Sequence, residues 1–91
     1  MDIQLIFDDV SRARRAEAAG HVFYVSVRSG SRSGLLAGPF STYDEASRWV
    51  DLTQSEATKL DEWAGFYGFG VCSTLSISRP GRLNARLGLP S

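Results

Sequence analysis

The stretch Gly38-Pro39-Phe40-Ser41-Thr42-Tyr43-Asp44-Glu45-Ala46 decides the fold. A strand ends at its Gly-Pro pair, and a helix begins directly after it. Thr42 and Glu45, three residues apart, form a capping box. The hydroxyl and the carboxylate each satisfy a backbone N–H that the first helical turn leaves without a partner. Asp44 and Glu45 also stand where the helix dipole favours negative charge.

Downstream of the cap, Ala46, Trp49, Val50, Thr53, Ala57, Leu60 and Ala64 recur at spacings of three and four, one largely apolar stripe. The spacing predicts a single long helix from Tyr43 to about Glu62. At roughly 1.5 Å per residue it runs about 30 Å, enough to cover a small sheet. Asp44 and Arg48 add a favourable i, i+4 pair, and Trp49 is the expected core anchor.

Upstream, residues 21–28 (HVFYVSVR) form the clearest strand, rich in β-branched and aromatic residues. Phe23, Val25 and Val27 share one face; Val22, Tyr24, Ser26 and Arg28 share the other. Residues 29–34 (SGSRSG) read as a hairpin loop, with the return strand starting at Leu35. Residues 66–77 read as a further strand. Tyr67, Phe69, Val71, Leu75 and Ile77 are on one face, and Gly68, Gly70, Cys72 and Thr74 on the other. Pro80-Gly81 ends it, leaving residues 80–91 as an extended tail whose Leu83, Leu87 and Leu89 dock on the body or on a partner. At the N-terminus, Ile3, Leu5 and Phe7 suggest a short strand. A weak helix follows, capped by Asp8 or Asp9 and closed by Gly20, so residues 1–20 are expected to be loosely attached.

The order is β-α-β-β-α-β, the ferredoxin-like arrangement, or its reduced ββαβ form. Either way the fold class is α+β: an antiparallel sheet of three to four strands packed on one long helix, in a single domain of 91 residues.

Composition narrows the function classes. Apolar residues are 43% of the chain, too many for disorder. No run approaches the roughly 18 apolar residues of a membrane span. The start Met1-Asp2-Ile3-Gln4 lacks the features of a secretory signal, so a cytoplasmic protein is expected. The single cysteine, Cys72, rules out an internal disulfide and an all-Cys zinc cage. Net charge is zero but unevenly spread. Residues 41–64 carry six acids (Asp44, Glu45, Asp51, Glu56, Asp61, Glu62) against Arg48 and Lys59, and residues 65–91 carry Arg79, Arg82 and Arg86 with no acid. Such blocks govern steering and partner choice.

Three functions compete for these residues. Gly68-Phe69-Gly70-Val71 echoes the aromatic signature of RNA-recognition folds, but that signature belongs before the second helix, and here it follows it. Zero net charge also removes the main term in nonspecific nucleic-acid affinity. A nucleic-acid patch would draw on Arg12, Arg14, Arg15, Arg28 and Arg32. Catalysis would need Cys72 and His21 to meet, with an acid orienting the base. Cys72 lies mid-strand, and Asp61 and Glu62 diverge around a helix, so an enzyme is not expected. No metal or other cofactor is expected either. Protein binding fits best. Asp44, Asp51, Glu56 and Asp61 offer an acidic helix face, and Trp63, Phe66, Tyr67 and Tyr24 exceed what a small core hides. The expected contact residues are Asp44, Asp51, Glu56, Asp61, Trp63 and Tyr67. An open sheet edge would also permit a homodimer.

Gly38-Pro39-Phe40, Glu45-Ala46, Trp49-Val50-Asp51, Phe66-Tyr67-Gly68-Phe69-Gly70 and Pro80-Gly81-Arg82-Leu83-Asn84 resemble small uncharacterised proteins encoded by bacterial phages and other mobile elements. The resemblance covers roughly residues 22–87. Proteins of this style include phage-encoded inhibitors of host defence, anti-CRISPR proteins among them. The resemblance therefore implies a non-catalytic inhibitor in the bacterial host cytoplasm that covers a working surface of a host protein or ribonucleoprotein.

Overall fold

The hairpin leading into the 38–46 stretch turns on one glycine. A computed structural model describes residues 12–75 and 79–91. Strands β1 (Val22–Ser29) and β2 (Arg32–Phe40) run antiparallel with Ser29 opposite Arg32, so only Gly30 and Ser31 form the turn. Gly30 has φ +62° and Ser31 does not have positive φ, the pattern of a type II′ turn whose twist matches the strands. The six-residue loop expected at 29–34 is therefore mostly strand. Ser29, Arg32, Ser33 and Gly34 pair in the ladder.

Strand β3 (Gly68–Thr74) pairs antiparallel with the other edge of β1, giving the order β2-β1-β3. Val71 lies opposite Val25 and Phe69 opposite Val27, so these residues share a face. The described residues form an α+β domain with a three-stranded antiparallel sheet in ββαβ order. The strand expected over Ile3, Leu5 and Phe7, which the four-stranded version needs, lies outside the described residues, as does Ile77.

Helix α1 covers residues 12–18, and Gly20 closes it as expected, at φ +83°. The N–H of His21 reaches the carbonyl of Ala16 at 2.9 Å, and that of Gly20 the carbonyl of Glu17 at 3.1 Å. These are the paired bonds of a Schellman stop.

Two helices stand where one long helix was expected. Helix α2 is Tyr43–Arg48 and helix α3 is Val50–Leu60. Thr42 caps α2 as expected, its hydroxyl accepting the Glu45 N–H at 3.1 Å. The break is at Trp49, at φ −93° and ψ −5°, in the sparsely allowed bridge region. Trp49 N–H bonds back to Ala46, three residues away, at 3.0 Å. Its carbonyl takes both the Thr53 N–H at 2.9 Å and the Thr53 hydroxyl at 2.6 Å. Such back-bonding bends helices. The tilt lays the Trp49 indole over Phe40, with ring centroids 6.1 Å apart and planes 17° from parallel.

Phe23, Val25, Ala37, Phe40 and Ala46 make the core, with Ala16, Trp49, Val50, Val71, Leu87 and Leu89 packed around it. Each large apolar side chain buried there contributes about 1.5–3 kcal/mol. The expected stripe holds from Ala46 to Ala57. Leu60, expected in the core, is exposed.

Tyr24, expected among the surplus aromatics, is fully buried on the other face of the sheet. Its ring packs against Gly38, and its hydroxyl donates to the Arg79 carbonyl at 2.7 Å. Residues 80–91 likewise depart from the expected extended tail. Backbone N–H groups of Gly81, Arg82 and Leu83 donate to Gly38, Leu35 and Leu36 along β2, and a short helix α4 (Asn84–Leu87) follows. Leu83 is buried and Leu87 and Leu89 touch the core, so these leucines dock on the body.

Candidate protein-contact surface

Chain direction changes sharply after α3, and Asp61 makes the change. Its backbone is extended, at φ −147° and ψ 106°, so the α-helix stops at Leu60 rather than Glu62. Its side chain then starts a 3-10 turn, Glu62–Phe66. Oδ1 accepts the Trp63 N–H at 3.0 Å, and Oδ2 accepts the Tyr67 hydroxyl at 2.9 Å. Aspartate is suited to this because its short carboxylate reaches backbone groups two residues on.

A 3-10 turn repeats every three residues, so Trp63 and Phe66 stand one above the other. Their ring centroids are 5.9 Å apart. Ala64 turns inward and is buried, while Trp63 is 63% exposed and Phe66 83%. Leu60 is 55% exposed. Trp63 and Phe66 thus form an exposed ridge just past the end of α3, where Leu60 is exposed too.

Asp61 also governs Tyr67. The hydrogen bond to its carboxylate, aided by some burial and by its negative charge, raises the phenol above the ordinary tyrosine value; Arg32 opposes the shift slightly. Tyr67, Asp61, Arg32, Arg82, Val27 and Leu36 line an open cleft of about 460 Å³ beside the ridge.

The expected acidic face is largely occupied from within. Asp44 lies 3.8 Å from Arg14. Glu56 pairs with Lys59 at 2.9 Å and with Arg86 of α4 at 3.5 Å, and its side chain is only 19% exposed. The Lys59 hydrogen bond, outweighing some burial, holds the Glu56 carboxyl below the usual carboxylate range, with Arg86 adding to it. Asp61 is a cap. Only Asp51 of the four is exposed and unpaired among the described residues. The structure brings Asp61, Trp63 and Tyr67 together at one end of α3 and leaves Asp44 and Asp51 elsewhere on the helices.

No protein-family model, curated protein or solved structure matches the chain.

Four of the arginines expected to serve a nucleic-acid patch stand at two ends of the sheet. Arg12 and Arg14 line a cleft of about 450 Å³ with Phe23, Tyr43 and Asp44 near the start of β1. Arg28 and Arg32 stand at the hairpin end, roughly 17 Å further along the strand. Arg14 is also engaged by Glu17 at 3.4 Å, and Glu17 in turn accepts the Tyr43 N–H at 2.9 Å. Among the described residues no helix is long and apolar enough to cross a membrane, and no group of three or more His, Cys, Asp or Glu is placed to hold a metal ion.

The sequence singles out Trp63, Tyr67 and Asp61 as candidate contact residues, and Phe66 as a surplus aromatic. It does not single out Leu60, because its helical spacing points to the core. The signal that could have found it is Asp61-x-Trp63: an aspartate two residues before an aromatic is a turn-former, and a turn there ends the helical period.

Proposed function

We propose that this chain is a non-catalytic protein-binding module whose anchor is the ridge of Trp63 and Phe66, together with the exposed Leu60. The observation that carries this reading is the exposure of Trp63 and Phe66 on a turn that Asp61 holds by two hydrogen bonds. Large apolar side chains kept in water, on a frame already ordered, lose little entropy when a partner covers them. Tryptophan is also among the residues that dominate interface energetics.

The partner we propose is a host protein or ribonucleoprotein of a bacterial defence complex of the CRISPR–Cas kind, met in the host cytoplasm. Support comes from the resemblance of residues 22–87 to proteins of phages and mobile elements. Binding by such a ridge inhibits by occupying a surface the complex needs. The dispersal of the arginines over two ends of the sheet favours a protein partner over nucleic acid.

A plaquing assay tests the proposal. In a bacterium with an active CRISPR–Cas system, expression of the chain should raise plaquing by a targeted phage. The double variant Trp63→Ala, Phe66→Ala should lose the effect while keeping its circular-dichroism spectrum. Each truncation at an anchor costs about 2 kcal/mol or more, roughly 30-fold in affinity. A rise that the double variant preserves would remove the ridge from the mechanism. If no rise appears with any defence system tried, the inhibitor reading falls.

A further inference from the structure

The cleft beside the ridge contains two arginines that are in no ion pair among the described residues. Arg32 opens β2, and Arg82 is tied through its N–H to the Leu35 carbonyl at 3.0 Å. Leu35 lies three residues along the strand from Arg32, so the two backbones are about 10 Å apart on one edge. Both side chains line the cleft, and both residues are exposed. Asp61, the one carboxylate in the lining, is already committed to Trp63 and Tyr67. Val27 and Leu36 give the same cleft apolar surface.

We infer that the cleft receives a carboxylate side chain of the partner, so that the segment bound is apolar with an Asp or Glu beside its apolar anchors. This inference rests on the protein-binding reading and specifies the partner's chemistry. Guanidinium forks match carboxylates in two-bond geometry. Val27 and Leu36 take the stem of the acidic residue, while the ridge takes its apolar neighbours. A polyanion fits less well. Asp61 shares the lining with the two arginines, so a chain of phosphates would meet only a weak net positive field. One carboxylate set between the two guanidiniums is matched by that small positive excess.

The test is selection of random peptides displayed on phage against the full chain. Enriched peptides should combine Leu, Ile, Phe or Trp with at least one Asp or Glu. The best of them should bind the Arg32→Gln, Arg82→Gln variant roughly tenfold or more weakly. Selection repeated on that variant should keep the apolar preference and lose the acidic one. Apolar peptides without acidic enrichment would overturn the inference and leave the protein-binding reading standing. Failure to enrich any peptide would overturn both. An oligothymidylate strand that binds wild type and is lost on the arginine variant would overturn the inference in favour of nucleic acid. Both side chains are solvent-facing, so the variants keep the fold, and thermal melting checks this.

Discussion

Asn84 grips both polar groups of Gly38: its Oδ1 accepts the Gly38 N–H at 3.1 Å, and its Nδ2 donates to the Gly38 carbonyl. The same Nδ2 donates to the Pro90 carbonyl at 2.8 Å. Asn84 is 1% exposed, so one buried amide ties β2 to both ends of the C-terminal segment.

Replacing Asn84 by Ala should therefore be among the costliest single changes in the chain. The Gly38 carbonyl keeps a donor in the Gly81 N–H at 3.0 Å, but the Gly38 N–H and the Pro90 carbonyl lose theirs. A buried polar group left unpaired costs about 1–3 kcal/mol, so the total is about 2–4 kcal/mol. For a domain of this size that lowers the melting temperature by roughly 10–25 °C. Thermal circular dichroism of Asn84→Ala checks it; a drop of only a few degrees would show that the clamp is not holding the segment.

Asn84 also marks where the legibility of the sequence stops. Local devices are legible: the Thr42 hydroxyl cap, the Gly20 stop, the alternation of β1. Each depends on residues within about five positions. The Asn84 clamp spans 46 residues of chain, so nothing near it signals that a polar residue among leucines will be buried. The break at Trp49 is hidden for a similar reason. Helical spacing continues through it, and only the stacking on Phe40 and the Thr53 back-bond reveal it. In the candidate surface, composition identifies the aromatics but not their frame. Asp61 reads as one more solvated acid on a helix, when its carboxylate is the support of the turn. Glu56 reads the same way, because its partner Arg86 lies far along the chain.

Two glycines should respond in opposite directions to the same substitution. A Cβ on Gly81 would stand 2.5 Å from the Ala37 nitrogen and from the Leu36 carbonyl carbon. Those are backbone atoms of β2 and cannot swing aside. Gly81→Ala should push the segment off the strand and cost about 3 kcal/mol, at the upper end of overpacking penalties. At Gly65, in the 3-10 turn, an added methyl group would meet nothing within 4 Å, and φ is not positive. Gly65→Ala should be neutral or gain about 0.4–1 kcal/mol by restricting the unfolded chain. Urea melts of both variants decide this, and equal effects would refute the packing at Gly81.

The Tyr67 phenol should titrate above the ordinary value of about 10. Its O–H donates to Asp61, and that bond, the largest cause of the shift, exists only while the phenol is protonated. Raising the folded-state pKa means the bond's contribution is complete below the unfolded value. It fades as pH rises through the folded one. Asp61→Asn should bring the Tyr67 ring resonances back toward ordinary titration in NMR. It should also make the Trp63–Phe66 turn more accessible to hydrogen exchange. Unchanged titration would separate Tyr67 from Asp61 and remove the support proposed for the ridge.

Glu56 gives the chain an acid-side dependence of opposite sign. Hydrogen bonding from Lys59 and the charges of Lys59 and Arg86 lower its carboxyl pKa in the folded state. A depressed pKa means the folded protein binds the proton less readily than the unfolded chain does. The contribution is then fully present above the unfolded glutamate value of about 4.3 and is lost as pH falls through the lower folded value. Glu56→Gln removes the titration and the ion pairs together. Wild type should exceed the variant in urea midpoint at neutral pH, and the gap should shrink steadily below about pH 4.3. Arg86→Gln, which breaks only the link between α3 and α4, should show part of the same gap and the same pH trend. High salt should narrow the gap at neutral pH, because these charges are near the surface. A gap that stayed constant from neutral to acid pH would mean that the ionised bridge between the two helices contributes nothing, leaving α4 held by Asn84, its leucines and the backbone bonds of Gly81, Arg82 and Leu83 to β2.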